Sequence, residues 1–310
     1  MPTSRQGAIR LFRFSGIDVF LHWSWFLVAA YEINGGFGAY SSVSWRIAEY
    51  LCVFLIVTVH EFGHALACRQ VGGRANQIVL WPLGGVAYVD PPPRPGATLW
   101  SIAAGPLVNV ALVPVLLALG ELTHAVGLSA ATDLSQLLAA VFKINLYLLA
   151  FNILPIYPLD GGQILRSLLW FVLGRARSLL VATILGFVGV AAFIGLAVWT
   201  QSLWTGAIAV FMLLNCWSGL QHARALLRLD KLPRREAFAC PACKAAPPVG
   251  DIWKCAQCGQ LFDTFQNKGA CPYCGSQFQV IRCVECGTAS PISEWTAPVV
   301  SSTFTNEVRG

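Results

Sequence analysis

The sequence predicts a mainly α-helical membrane protein of about six transmembrane helices, with a short membrane-associated β-hairpin and a small Cys-rich β domain after them. Three observations support this fold class. Apolar residues make up 56% of the 310 residues and charged residues only 12%, whereas a soluble domain has about 25% charged residues. The apolar residues concentrate between Ile17 and Leu220, and after Leu232 the chain becomes polar and rich in Cys and Pro. A soluble chain could not bury so much apolar side chain, so the lipid bilayer is the expected surroundings.

Six apolar segments are candidates for membrane helices, since a crossing needs about 20 helical residues, or fewer where the bilayer thins. They are Ile17–Tyr31, Ile47–Cys68, Thr98–Leu119, Leu134–Pro155, Leu179–Thr200 and Leu203–Leu220. Apart from Arg46, the basic residues lie on one side of this arrangement, and the opposite loops at 32–44 and 121–133 contain no Lys or Arg. This bias predicts a multi-pass protein of the cell membrane with both termini in the cytoplasm.

The change of composition divides the chain into four predicted segments: a membrane-embedded domain, a basic linker, a Cys-rich domain and a flexible tail. Their bounds are residues 1–228, 229–238, 239–290 and 291–310. Within the membrane part, Asn76–Asp90 predicts two strands joined by a Gly-Gly turn. The net charge of +6 comes from short basic patches beside apolar segments, a pattern typical of membrane-helix ends. It does not favour a nucleic-acid partner.

The motif His60-Glu61-Phe62-Gly63-His64 is an HExxH sequence on a predicted helix. Residues four apart lie one above the other on a helix, so both imidazoles can bind one zinc ion. Glu61 projects elsewhere, where its carboxylate can take a proton from a metal-bound water. Two His and one Glu inside an apolar span are costly, which favours function over a structural role.

A catalytic zinc needs a third protein ligand and one open position, and Asp160 is the best candidate. It belongs to the segment 152–162 (NILPIYPLDGG), whose first proline ends an apolar helix. Irregular backbone at membrane depth is tolerated where it lines a cavity, and Gly161 and Gly162 let the chain approach a bound group. Alone, these residues also fit a plain turn at the cytoplasmic interface. The HExxH motif elsewhere in the chain favours the ligand.

Together these motifs resemble those of the site-2 protease family of intramembrane metalloproteases, in its bacterial and archaeal branch. That family combines HExxH on one membrane helix with NxxPxxPLDGG on a later one, and both stand here in that order. A GPxxN motif (Gly105–Asn109) and a PLGG hairpin (Pro82–Gly85) add to the resemblance, which covers roughly residues 10–225.

The resemblance implies that His60, His64 and Asp160 hold the catalytic zinc and that Glu61 is the general base. It implies regulated cleavage of membrane-anchored proteins, usually after another protease has trimmed them. The PLGG hairpin would align an unwound substrate strand through Pro82, Gly84 and Gly85. Asn152 and Asn109 match motif positions and would either bind substrate or support the oxyanion.

Eight of the eleven Cys form four CxxC pairs: Cys240/Cys243, Cys255/Cys258, Cys271/Cys274 and Cys283/Cys286. Two such pairs supply four thiolates to one tetrahedral zinc, so the segment resembles a double zinc ribbon with two structural zinc ions. The simplest pairing is sequential, with the first two pairs on one zinc and the last two on the other; an interleaved pairing stays open. Redox activity is a weaker alternative, because no thioredoxin-like βαβ pattern surrounds the pairs.

The ribbon is expected to be a docking module for a substrate or a cytoplasmic partner. Many members of the family carry a nucleotide-sensing domain at this place, so the ribbon leaves the regulatory input open. Lys143 lies inside a predicted membrane helix and is expected to snorkel towards the interface or to pair with a residue such as Asp133. The alternative function is a non-proteolytic membrane zinc protein acting as a scaffold, sensor or transporter.

Overall fold

The computed structural model describes residues 7–35, 40–81, 84–127 and 132–295. The chain forms two compact units, residues 1–226 and 227–310. In chain order the first unit contains β1 (Ala8–Phe14), β2 (Ile17–His22), α1 (Trp25–Gly35), α2 (Val43–Gln70), β3 (Arg74–Trp81), β4 (Gly84–Asp90), α3 (Pro95–Ala125), α4 (Asp133–Ile153), α5 (Asp160–Thr200) and most of α6 (Leu203–Asp230). The second unit contains β5 (Trp253–Lys254), β6 (Leu261–Phe262), β7 (Val280–Arg282), β8 (Ala289–Pro291) and a 3-10 turn, Ile292–Glu294.

Within the described ranges, five helices are long and apolar enough to cross a membrane: α2, α3, α4, α5 and α6. The mainly helical fold, the hairpin and the small Cys-rich β unit are therefore confirmed. Helix α5 consists of two helices, because the backbone leaves the helical conformation at Gly174 (φ 79°, ψ 172°). Such a positive φ is readily adopted only by glycine. The second of these helices contains the predicted span Leu179–Thr200.

The predicted first helix, Ile17–Tyr31, is wrong in its secondary structure. Its first part is β2, and only α1, with 11 residues, is helical. The strand lies between β1 and β3 and is buried along most of its length. A short continuous apolar run of this kind cannot be told from a buried helix by its periodicity.

β2 and α1 together run beside α2 in the opposite direction. β2 is parallel to β3, which begins directly after α2 and leads back along it. At the start of α1, the carbonyl of Trp25 accepts a hydrogen bond from the hydroxyl of Tyr50 at 3.2 Å. The Trp25 ring also meets Phe54 edge to face. Strand and short helix thus cover the interval predicted for one helix.

The predicted hairpin is present as the antiparallel pair β3 and β4, which forms half of a four-stranded sheet in the order β1-β2-β3-β4. The inner face of this four-stranded sheet packs on α2 through a buried cluster. The cluster includes Ile17, Val19 and Ile78 of the sheet and Ala65 and Cys68 of α2. Pro82 lies outside the described residues, and of Gly84 and Gly85 the structure describes the backbone. The sheet holds β4 beside the HExxH turn of α2.

Helices α2 and α3 approach each other at glycine positions. A side chain at Gly63 would place its Cβ 2.8 Å from the carbonyl oxygen of Ala104, and one at Gly105 would lie 2.2 Å from Nε2 of His64. Both distances are shorter than a van der Waals contact, so glycine is required at each position. This close packing brings polar groups of α3 next to the histidines of α2.

The Cys-rich unit extends beyond its predicted bounds at both ends. In the predicted linker, Arg235 pairs with the carboxylate of Asp263, and Arg234 pairs with Glu285 at 2.9 Å. In the predicted tail, Trp295 is only 1% exposed and packs on Phe265. The linker and tail predictions are therefore wrong for these residues, which belong to the folded Cys-rich unit. Residues 296–310 of the predicted tail lie outside the described ranges.

Candidate functional site

Three ligand atoms converge in the interior of the first unit. His60 and His64 are one helical turn apart on α2 and are 4% and 5% exposed, and their Nε2 atoms are 3.1 Å apart. Asp160, the first residue of α5, places Oδ2 at 3.1 Å from Nε2 of His60 and 3.3 Å from Nε2 of His64. The structure thus brings together the two motifs that lie about a hundred residues apart in the sequence.

This triangle fits a metal ion. A tetrahedral zinc with bonds of about 2.0–2.1 Å places its ligand atoms roughly 3.3 Å apart. Nδ1 of His60 has Asn109 as its acceptor and Nδ1 of His64 has the carbonyl of Ser101. Both Nε2 lone pairs therefore point into the triangle. Oδ2 of Asp160 is buried and has no hydrogen-bond donor among the described residues. Lone pairs that converge in this way without a donor are expected to bind a cation.

The loop before α5 fixes the position of Asp160. Helix α4 ends at Ile153, and the chain passes through a non-helical segment that includes a cis peptide bond between Tyr157 and Pro158. A Cβ at Gly161 would lie 2.2 Å from the carbonyl oxygen of Ile153, and one at Gly162 would lie 2.3 Å from the amide nitrogen of Tyr157. The two glycines therefore let the first turn of α5 pack directly on the loop backbone.

A chain of hydrogen bonds orients His60. Its Nδ1 lies 2.5 Å from Oδ1 of Asn109, whose Nδ2 donates to Oδ1 of Asn145 at 2.8 Å. Nδ2 of Asn145 donates in turn to the backbone carbonyl of Asn109 at 3.0 Å. Both asparagines are completely buried. For His64, the carbonyl oxygen of Ser101 lies 2.9 Å from Nδ1.

These contacts correct the predicted role of Asn109 as a substrate or oxyanion contact. The Asn109 side chain lies behind His60, and its amide oxygen and nitrogen both have partners. Asn145 was not predicted to take part. The signal that could have drawn attention to it is an amide side chain in the middle of an apolar helix.

Glu61 projects to another side of α2, as predicted. Its Oε2 accepts a hydrogen bond from the backbone amide of Ala87 in β4 at 2.9 Å, and the residue is 5% exposed. A cavity of about 650 Å³ lies beside it. The cavity wall includes the three ligand residues, Glu61, Ala87 and Val89 of β4, and Asn152 of α4. A carboxylate, three candidate metal ligands and an edge strand therefore line one cavity.

The eight CxxC cysteines form two clusters of four. One contains Cys240, Cys243, Cys283 and Cys286, and the other contains Cys255, Cys258, Cys271 and Cys274. Sulfur atoms of different pairs lie 3.6–3.8 Å apart in both clusters, about the spacing expected around one tetrahedral zinc with bonds of about 2.3 Å. The predicted sequential pairing is therefore wrong: the outer pairs meet and the inner pairs meet.

Asp263 connects several segments of the Cys-rich unit. Its carboxylate accepts hydrogen bonds from the backbone amides of Gly250, Phe265 and Gln266 and pairs with Arg235. Burial alone would raise the pKa of Asp263, but the amides and the guanidinium hold this pKa below its usual range. The carboxylate is thus a charged junction of the domain.

The apolar helical bundle and the buried His-His-Asp triangle beside a glutamate place this chain in the class of membrane-embedded metallopeptidases. The profile of "Peptidase family M50" matches residues 48–127 and 120–196. The protein YwhC of Bacillus subtilis is 30% identical over 154 residues, which cover 39% of this chain and 70% of that protein. The chain belongs to peptidase family M50.

Other relatives agree with this membership. The zinc metalloprotease MJ0392 of Methanocaldococcus jannaschii is 33% identical over 183 residues, which cover 58% of this chain and 50% of that protein. The solved structure of the site-2 protease from Methanocaldococcus jannaschii superposes with a TM-score of 0.53 and 27% identity, over 69% of this chain and 95% of that chain. The chain spans about half the length of the first of these relatives.

Proposed function

We propose that the protein is an intramembrane zinc metalloendopeptidase that cleaves transmembrane segments of membrane-anchored proteins. The observation that carries this proposal is the carboxylate of Glu61 on the wall of the same cavity as the ligand triangle of His60, His64 and Asp160. Zinc in this triangle would polarise the scissile carbonyl and acidify a water molecule. Three protein ligands are typical of catalytic zinc sites, which keep one position for water or substrate.

The residues of the chain divide the remaining work. Glu61 takes the proton of the attacking water and passes it to the departing amide nitrogen. Its Oε2 accepts a hydrogen bond from the Ala87 amide, and the proton is assigned to the other carboxylate oxygen, Oε1. Asn109 and Asn145 hold the ring of His60 so that Nε2 faces the ion. The Ser101 carbonyl does the same for His64.

The edge strand β4 is the proposed site of substrate alignment. It is the last strand of the sheet, and its Ala87 and Val89 line the cavity. An extended peptide can add to such an edge through main-chain hydrogen bonds, and a substrate helix must unwind before its amides can be attacked. Gly84 and Gly85 leave the start of this edge open to an approaching backbone. Asn152 on the cavity wall offers an amide for the bound segment.

The membrane orientation follows from the charge bias. The first crossing is assigned to β2 and α1 together, which keeps the number of crossings even. Both termini and the Cys-rich unit then lie in the cytoplasm. In that reducing compartment the two Cys clusters hold structural zinc rather than disulfides, which gives three zinc ions per chain. The Cys-rich unit would meet cytoplasmic partners.

Substitution of Glu61 by Gln tests the mechanism. The purified chain and a single-span test substrate are reconstituted together in vesicles, and cleavage and bound zinc are measured. We expect Glu61→Gln to abolish cleavage and to keep all three zinc ions, because the amide cannot accept the proton but does not touch the ligand atoms. His60→Ala, as a comparison, should lose one zinc ion as well. Cleavage by Glu61→Gln at the wild-type rate would refute the proposed role of Glu61.

A further inference from the structure

Lys143 lies in the middle of a membrane helix and points away from the protein. It is the eleventh of the 21 residues of α4, so it is about 15 Å from either end of the helix. Asn145, two positions further on, connects to His60 through Asn109. Lys143 therefore lies at about the depth of the ligand triangle. The opposite face of α4 lines the cavity through Ile144, Leu148 and Asn152, whereas Lys143 is exposed.

No described residue of the chain neutralises this ammonium group. Asp133, the partner considered from the sequence, lies at the start of the same helix. Its carboxylate accepts hydrogen bonds from the backbone amide of Ser41, at 3.0 Å, and from the Ser41 hydroxyl. The four-carbon stem of a lysine is far shorter than 15 Å, so snorkelling does not bring the charge to either interface.

Among the described residues, the membrane helices of a second copy of the chain supply no matching carboxylate. Glu49 and Glu61 are buried in α2. The remaining described carboxylates of the membrane helices lie within about one turn of a helix end, namely Glu121, Asp133, Asp160 and Asp230. The described membrane helices thus offer no acidic group that meets Lys143 at mid-depth, and Asp18 of β2 already pairs with Arg10, which favours another molecule as its source.

The surroundings of Lys143 fit a helical partner. Tyr147, one turn further along α4, is 72% exposed, and Leu146 beside it is 37% exposed. This face combines a cation, a phenol and apolar area. A charge that faces hydrocarbon is costly and normally pairs within the membrane, and polar contacts between membrane helices stabilise their association.

We propose that the outward face of α4, defined by Lys143, Leu146 and Tyr147, docks a transmembrane helix of another protein that carries an Asp or Glu near the middle of its span. The ammonium of Lys143 pairs with that carboxylate, and the hydroxyl of Tyr147 is within reach of it. This docking depends on the membrane-spanning assignment of α4 and not on proteolysis. The docked helix lies one helix width from the cavity, on the other side of α4.

Binding of two synthetic helices tests the proposal. The full chain, labelled with a donor dye, is placed in zwitterionic vesicles, and acceptor-labelled Leu-rich transmembrane peptides with a central Glu or a central Gln are titrated by energy transfer. We expect the Glu peptide to bind roughly tenfold more tightly than the Gln peptide. In Lys143→Gln this preference should disappear. In Lys143→Glu a peptide with a central Lys should become the preferred partner.

The matched control is Val188→Gln, which introduces the same amide at another exposed position, 65% exposed, on α5. It should keep the preference for the Glu peptide, and an unchanged zinc content shows that each variant is folded. Equal binding of the two peptides to the wild type would overturn the proposal. A preference that survives Lys143→Gln would also overturn it. So would a preference that appears only with anionic lipids, because lipid headgroups would then neutralise the charge of Lys143. Because the experiment measures binding, a folded chain without proteolytic activity can still confirm the docking proposal.

Discussion

Replacement of Asn109 by Leu removes the acceptor that orients His60 and leaves the ligand atoms themselves unchanged. Leu has the same branching and the same number of side-chain heavy atoms as Asn109 and suits a buried position in an apolar helix. The Nδ1 hydrogen of His60 then has no partner, and Oδ1 of Asn145 loses the donor that now lies at 2.8 Å. The imidazole can rotate, or can move its hydrogen to Nε2, and both changes oppose metal binding.

The size of the effect follows from these lost contacts. His60 is 4% exposed and Asn145 is completely buried, and one buried unsatisfied donor costs about 1–3 kcal/mol. If this cost falls on the metal-bound state, zinc affinity decreases by about 5- to 150-fold. Substitutions of the groups that orient metal-binding histidines typically reduce affinity or activity by about 10- to 100-fold. We therefore expect Asn109→Leu to weaken the binding of one zinc ion by about 10- to 100-fold.

Competition with a graded series of zinc chelators measures this affinity, with the zinc content of the chain determined at each step. The two Cys clusters provide an internal reference, because Asn109→Leu should leave their zinc unchanged. Thr183→Val is the matched control: Thr183 is also completely buried, and its hydroxyl donates to Leu179 within α5. Asn109→Asp keeps an acceptor for His60 and should therefore lose less zinc affinity than Asn109→Leu. A folded Asn109→Leu variant with wild-type affinity at all three sites would refute the role assigned to Asn109.

Two further predictions concern the Cys-rich unit. Because Cys243 and Cys283 belong to one cluster and Cys258 to the other, the double variant Cys243→Ser/Cys283→Ser should lose one zinc ion, whereas Cys243→Ser/Cys258→Ser should lose two; metal analysis decides, and the reverse result would restore the sequential pairing. The pKa of Asp263 is lowered by folding, so its carboxylate stabilises the unit above the unfolded pKa of about 3.9 and this stabilisation is lost as the pH falls through the folded pKa. The unfolding temperature of the wild type should therefore decrease between about pH 5 and pH 3 more steeply than that of Asp263→Asn. Parallel pH profiles of the two unfolding temperatures would contradict this expectation.

The candidate ligand residues could be predicted because short sequence motifs identify them. The i, i+4 spacing of His60 and His64 places both rings on one side of a helix without reference to the rest of the fold. Asp160 was accessible because proline and glycine beside an acid indicate irregular backbone at membrane depth. Asn145 was missed because its meaning depends on α3 and α4 lying side by side, a tertiary relation that no spacing in the sequence contains.

Two other errors have a similar physical origin. The strand Ile17–His22 is buried on both sides, so it lacks the alternation that marks a half-exposed strand. The pairing of the cysteines depends on which loops close on each other, and both arrangements satisfy the same CxxC knuckles. Arg235 appeared as part of a basic linker because its partner, Asp263, is nearly thirty positions away and is only 2% exposed.

The nested arrangement of the two Cys clusters also determines how the unit responds to a mechanical load. With zinc bound, a force that pulls α6 away from the far end of the chain is carried across the unit by the outer cluster, because that cluster joins Cys240 and Cys243 directly to Cys283 and Cys286. The inner cluster lies within the closed loop and carries none of the tension. The outer zinc ion would therefore act as the crosslink that holds the two ends of this domain together, whereas the inner zinc ion would hold only the segment between the outer pairs, whose Asp263 and Phe265 still contact Arg235 and Trp295.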